Sequence, residues 1–338
     1  MCQASDFGAS VPYRCRGAYS DGLGQGRGVA ACQGRMVERI EEKGMLALKN
    51  LVVVVEPGKA EQPVWQAALN WAKATGAQIH VFLPVQGEEP EGLALATGLQ
   101  QVAAHTAELE GERWLESWLR DAPAGTQSTV TPAPKWCEAV LHETRRQEAD
   151  LLLVGADAFE SRQLQALLRQ LPCPLYLVRH GKAPRCVAGA IGAVADDVPH
   201  KLLNVVVLEH LSGLAKLWGA ETRLLSALPN PAELIPLMGD AYAVSYAGNE
   251  LDEVYREGLI EQARPFGLAA SAIVAQIGRP DVAIPQMVKD EGIDCLLLGT
   301  VARHALAAFW LGNTAEDVLP RVECDVLVLR PQDYYDPS

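Results

Sequence analysis

The residues best placed to do chemistry lie near the C-terminus, in Asp294-Cys-Leu-Leu-Leu-Gly299-Thr-Val-Ala302-Arg303-His-Ala-Leu-Ala-Ala-Phe-Trp-Leu-Gly312-Asn313-Thr314-Ala-Glu-Asp317. An apolar run that reads as a strand stops at Gly299. A second glycine, Gly312, precedes a helix start marked by Asn313 and Thr314, both good N-cap types, with Glu316 and Asp317 in the first turn. A strand, a glycine-bearing loop and a helix N-terminus make an anion site, because free backbone N–H groups converge on one point. Arg303 can meet a phosphate as a charge-assisted donor, or stand as a solvated charge, or pair with Glu316 or Asp317. His304 can titrate beside an anion, although a lone loop histidine is ordinarily just solvated. Phe309 and Trp310 can line a pocket or pack between units of the chain.

No second chemistry competes with this one. The chain has no Gly-x-x-x-x-Gly-Lys-Ser/Thr, no His-Glu-x-x-His and no Gly-x-Ser-x-Gly, and no carboxylate pairs with histidine in a general acid–base setting. No catalytic residue is therefore expected. The eight cysteines show no Cys-x-x-Cys and no metal-ligand spacing, so no metal site is expected either. Cys173 and Cys324 read as small buried hydrophobes at strand starts, and Trp136 with Cys137 as the opening of a packed helix. The run Gly22-Leu-Gly-Gln-Gly-Arg-Gly28 is a poor dinucleotide fingerprint, since no strand leads into it and no helix follows.

Composition narrows the partners. A length of 338 residues suggests about two domains, and 49% apolar with 21% charged residues lets each bury a core. A formal net charge of −13 disfavours nucleic acid and anionic membrane surfaces, neither of which attracts an acidic protein. No run of 18 uncharged apolar residues exists to span a bilayer. A reduced, cytoplasmic protein fits the cysteine usage. Residues 1–44 carry almost no apolar periodicity and read as a flexible N-terminal extension; initiation at Met36 or Met45 would remove most or all of it.

The elements that must position the loop come in two matching sets. Ala149-Asp150-Leu-Leu-Leu-Val-Gly155 matches Ile293-Asp294-Cys-Leu-Leu-Leu-Gly299, and Cys173-Pro-Leu-Tyr-Leu-Val-Arg179 matches Cys324-Asp-Val-Leu-Val-Leu-Arg330. The chain is thus a duplication, with units over 45–180 and 181–335. In the first unit the pattern predicts strands at 50–56, 79–85, 128–133, 150–156 and 174–179, with helices near 61–75, 96–121, 136–147 and 161–171. In the second it predicts strands at 186–192, 222–229, 271–277, 294–300 and 325–330, with helices near 199–218, 249–266, 281–291 and 313–321. Alternating β and α elements imply right-handed crossovers and a parallel sheet with helices on both faces. One part is missing: Gly155 to Cys173 spans 18 positions, whereas Gly299 to Cys324 spans 25, and the deficit falls where the first unit would carry its own phosphate loop.

The spacing of Gly299, Ala302 and Gly312 resembles the Gly-x-x-Gly-x9-Gly-Ser/Thr loop of the universal stress protein family. Leu-Gly-Asn-Thr-Ala-Glu at 311–316, Phe82-Leu-Pro84 and Cys173-Pro174 are similar to its tandem E-type branch. The resemblance covers roughly residues 46–335. It implies two Rossmann-like (adenine nucleotide alpha hydrolase-like) domains, each a five-stranded parallel sheet, packed as an internal pseudo-dimer through their last strands, with higher oligomers open. It implies ATP or another adenine nucleotide, or a smaller anion, as ligand, held at Gly299, Ala302, Arg303, Gly312, Asn313 and Thr314. Departures from the family pattern weaken that site. Ala302 replaces a glycine, Asn313 stands where nucleotide binders carry Ser or Thr, and the aspartate after the first strand becomes Glu56 in the first unit and Gly192 in the second, with Asp196 and Asp197 following. The expected function is a stress-response regulatory protein with a weak nucleotide or anion site in the second unit. Two other readings stand beside it: a scaffold for a different small ligand or a protein partner, and an ATP hydrolase, which the missing aspartate and glycine make the weakest of the three.

Overall fold

The computed structural model describes residues 48–59, 62–85, 96–158, 161–193, 198–230, 250–300 and 314–330. The strands are β1 (Asn50–Val54), β2 (Gln78–Val85), β3 (Gln127–Pro132), β4 (Leu151–Gly155), β5 (Leu175–Val178), β6 (Cys186–Ala190), β7 (Glu221–Leu228), β8 (Ile273–Ile277), β9 (Cys295–Gly299) and β10 (Asp325–Leu329). The helices are α1 (Pro63–Thr75), α2 (Ala96–Trp118), α3 (Trp136–Arg146), α4 (Ser161–Gln170), α5 (Val198–Trp218), α6 (Glu250–Ala263), α7 (Pro280–Asp290) and α8 (Thr314–Val318). Each lies within three residues of its sequence-derived position.

The strands form one ten-stranded sheet in the order β3-β2-β1-β4-β5-β10-β9-β6-β7-β8. Every neighbouring pair is parallel except β5 with β10, which run antiparallel through Val326 opposite Leu177, Leu327 opposite Tyr176 and Val328 opposite Leu175. The order therefore reads the same outward from the β5–β10 seam in both directions. That is what a duplicated unit gives when its two copies pair edge to edge about a pseudo-twofold axis.

Strands buried on both faces need near-continuous apolar residues, and Leu51–Val54 in β1, Leu151–Val154 in β4 and Cys295–Leu298 in β9 supply them. Leu51, Val53, Leu153, Tyr176, Leu297 and Leu327 face one layer of helices with α1 and α5. Val52, Val54, Leu152, Leu296 and Val326 face the other with α3, α4 and α7. Both layers run unbroken across the seam. On the α1/α5 side Trp71 meets Tyr176 and Trp218, each with ring centroids 5.5 Å apart and edge-on.

A buried aspartate fastens the connector between the units. Asp325, 2% exposed, accepts from the Tyr176 hydroxyl at 3.2 Å and from the backbone N–H groups of Arg179 at 2.7 Å, His180 at 2.8 Å and Gly181 at 3.2 Å. Gly181 has φ of +67°, and a Cβ there would overlap the Pro63 carbonyl, so only glycine fits. The Arg179 guanidinium donates to Cys324 O at 3.0 Å and to Leu319 O at 2.8 Å. The connector between β5 and β6 is thus held along its first half, to the second unit through Asp325 and to the first through Asn70 Nδ2, which donates to Gly181 O at 3.0 Å.

Candidate functional site

In an open parallel sheet, ligands bind beyond the carboxyl ends of the strands where the strand order reverses. This chain has two such points, between β1 and β4 and between β6 and β9.

In the first unit the chain leaves β1 through Val55 and Glu56. The Gln62 side chain closes a ring on that residue: its Oε1 accepts from Glu56 N at 3.0 Å, and its Nε2 donates to Glu56 O at 2.8 Å. The backbone is pinned where the strand ends, and the Glu56 side chain lines the cleft. The Lys59 ammonium bridges the two loops that flank the switch point, 3.0 Å from Glu56 Oε2 and 2.7 Å from Asp157 Oδ2. These contacts raise the Lys59 pKa, the Asp157 hydrogen bond most, and the same bond lowers that of Asp157. Behind the bridge lies a cleft of about 430 Å³, with Pro63, Val64, Ala156 and Val178 as its apolar lining. Arg179 borders it as well, but its guanidinium is committed to the carbonyls of Leu319 and Cys324, and burial lowers its pKa.

The second unit repeats the backbone device with a different residue. Asn204, in the second turn of α5, donates through Nδ2 to Gly192 O at 2.9 Å and accepts at Oδ1 from Gly192 N at 3.3 Å; Gln262 Oε1 steadies it at 2.9 Å. Gly192 has no side chain to direct into a cleft. The floor differs too. A Cβ on Gly299 would overlap the Leu203 side chain, whereas a Cβ on the equivalent Gly155 would meet only Asp157 Oδ1, at 3.1 Å. Where α1 turns the small Ala67 and Ala68 to the sheet, α5 turns Leu203 and Val207, and Gly189 in β6 makes room for Val207. Leu203 therefore occupies the space beside Gly299 that stays open beside Gly155.

Of the residues expected to hold an anion, Gly299 ends β9 and Thr314 is the first residue of α8. Thr300 N donates to Leu329 O at 2.8 Å, as Ala156 N does to Val178 O at 2.8 Å in the first unit, so both chains leave the sheet alike. Ala302, Arg303, Gly312 and Asn313 lie outside the described residues, as do His304, Phe309, Trp310, Asp196 and Asp197. Glu316, one of the two carboxylates within reach of Arg303 in sequence, sits 4.0 Å from Arg169 of α4, a residue of the first unit. No group of three or more His, Cys, Asp or Glu able to hold a metal ion occurs among the described residues.

Two titratable groups deep in α5 were invisible as such in the sequence. Burial raises the pKa of Glu209 to about 8 and lowers that of His210 to about 4. Reading α5 as an ordinary amphipathic helix leaves its 202–210 stretch half exposed; in the fold every residue of that stretch is buried. The signal available was the run Leu202-Leu-Asn-Val-Val-Val-Leu208, too apolar for one face.

Comparison with known proteins agrees with this architecture. Residues 194–330 match the universal stress protein family. Over 314 residues the chain is 26% identical to a protein of Photorhabdus laumondii named Universal stress protein E, covering 87% of this chain and 98% of that one. It is 24% identical over 309 residues to the protein of that name in Escherichia coli K12, covering 87% and 97%. Among solved structures, a putative universal stress protein of Pseudomonas aeruginosa UCBPP-PA14 superposes with a TM-score of 0.63 at 23% identity, covering 86% of this chain and 96% of that chain. A functionally unknown protein of P. aeruginosa PAO1 superposes with a TM-score of 0.65 at 22% identity.

Proposed function

We propose, of a chain that belongs to the universal stress protein family and carries two of its units in tandem, that it is a stress-response binding protein whose second unit holds an adenine nucleotide or a smaller anion weakly. The observation that carries this reading is the spacing of Gly299, Ala302 and Gly312 between a strand end and a helix start. Backbone N–H groups at 312–314 would cradle the anion, with Arg303 as a charge-assisted donor. Weakness follows from the parts that are changed. Ala302 adds a Cβ where the family loop has none, Gly192 supplies no carboxylate, and Leu203 closes the floor beneath. A binding role rather than turnover fits the absence of a catalytic motif, and a cytoplasmic setting fits the cysteine usage. No described helix is long and apolar enough to cross a membrane.

Isothermal titration of the full chain with ATP tests the reading. Weak saturable binding, abolished by Gly312→Val with the fold retained, is the expected result. Unchanged affinity in that variant would place the ligand elsewhere, and no heat at millimolar ATP would remove the nucleotide from the account.

A further inference from the structure

The first unit, whose span from Gly155 to Cys173 is too short for a phosphate loop, has an open cleft whose chemistry is legible. We infer that this cleft is a separate binding site for a small neutral molecule bearing several hydroxyl groups. Its volume of about 430 Å³ lies within the range of small-molecule sites. The polar side is rich in acceptors: Glu56 and Asp157 each present two carboxylate oxygens, while Lys59 spends its contacts on one oxygen of Asp157 and both of Glu56. Carboxylates accept several hydrogen bonds each, so a ligand must bring donors.

Charge then selects among donors. Among the described residues an anion would face two carboxylates against one lysine, with the Arg179 guanidinium turned away to Leu319 O and Cys324 O, and the sequence from Ala156 to Cys173 has no glycine to form a receiving loop. A cation would have to displace Lys59, which is tethered three residues from Glu56 and so present at high effective concentration. Neutral hydroxyls need displace nothing: they donate to the spare carboxylate lone pairs, while the apolar part of the molecule lies on Pro63, Val64, Ala156 and Val178. This site stands independently of the anion reading of the second unit, from which it is separated by the seam.

The test is methyl-resolved NMR of the full chain, following Val64 and Val178 during titration with adenosine, D-ribose, methyl glucoside and inorganic phosphate. At least one neutral probe should shift both valines saturably, and phosphate should shift neither. The double variant Glu56→Gln with Asp157→Asn should weaken that probe about tenfold, since two charge-assisted acceptors are lost. The variant's amide spectrum reports whether it is folded. Silence of both methyls to all three neutral probes, a phosphate response as strong as theirs, or an unaffected double variant would each overturn the assignment. ATP binding at the second unit, whether present or absent, does not bear on these methyls.

Discussion

At the ends of β1 and β4 the chain leaves a cleft, while at the ends of β6 and β9 Leu203 occupies the same point of the second unit. The loop that would hold a phosphate is distributed the other way: the second unit has the chain length for it and the first does not. On the proposed reading, duplication leaves each unit with a feature the other lacks: an open cleft in the first and the length of a phosphate loop in the second. The backbone clamp persists in both, made by Gln62 in one and Asn204 in the other, from different points of the following helix. Fixing the residue after the first strand is evidently a requirement of the unit itself, since it survives where no side chain is left to aim. What varies is what surrounds it.

The largest effect should come from the position where the two copies differ most. Asp325 stands where the first unit has Pro174, because one linker passes the seam and it needs one set of acceptors. Asp325→Ala leaves three backbone N–H groups and a buried tyrosine hydroxyl without their acceptor, and should cost about 4 kcal/mol in chemical denaturation. A loss under 1 kcal/mol by that measurement would mean that the units hold together without the connector.

Next comes the pair of equivalent glycines. Gly299→Ala forces a Cβ into Leu203 and should cost about 3 kcal/mol, whereas Gly155→Ala displaces only an exposed carboxylate and should cost less than about 1 kcal/mol. Adding Leu203→Ala to Gly299→Ala should recover part of the loss, because the cavity and the new methyl coincide. Equal costs at the two glycines would erase the distinction between an open and a filled switch point.

A pH series separates the units by their first helices, since α5 buries Glu209 and His210 and the buried residues of α1 are all apolar. Glu209 has its folded pKa raised, to about 8 from 4.5, so the folded state holds a proton the unfolded state releases. Stability is then full below 4.5 and falls as pH rises toward 8. His210 is lowered, to about 4 from 6.5, so its contribution is full above 6.5 and is lost as pH falls toward 4. Glu209→Gln should flatten the alkaline limb by on the order of 2 kcal/mol, measured by urea denaturation across pH. An unchanged alkaline limb would show that this carboxyl ionises freely in the fold.

The smallest effect concerns the lost parts of the anion site. Gly192→Asp with Ala302→Gly should tighten ATP binding about tenfold and by more than either change alone, because carboxylate and loop grip opposite ends of one ligand. Strictly additive or null changes by titration calorimetry would remove position 192 from the site. Arg179 of the first unit donates to Leu319 O at 2.8 Å and Arg169 lies 4.0 Å from Glu316, so an isolated second unit, residues 181–335, should bind more weakly than the full chain.

The duplication, the class of fold and nearly every element boundary were decided by the sequence itself. Those features are local: an apolar run such as Leu151–Val154 is a buried strand wherever it sits, Pro280 opens a helix by fixing φ, and the short span from Gly155 to Cys173 removes a loop from any fold built on it. Whether the space beside the strand-end glycine stays open was decided only by the tertiary structure. It turns on Leu203 meeting Gly299 and Lys59 reaching Asp157, contacts between residues about a hundred positions apart whose side-chain sizes carry no periodicity. Read alone, Ala67 and Leu203 are two apolar residues on two helices. Only when the helices are laid on the sheet does the difference of three carbons between them become a cleft in one unit and a filled floor in the other.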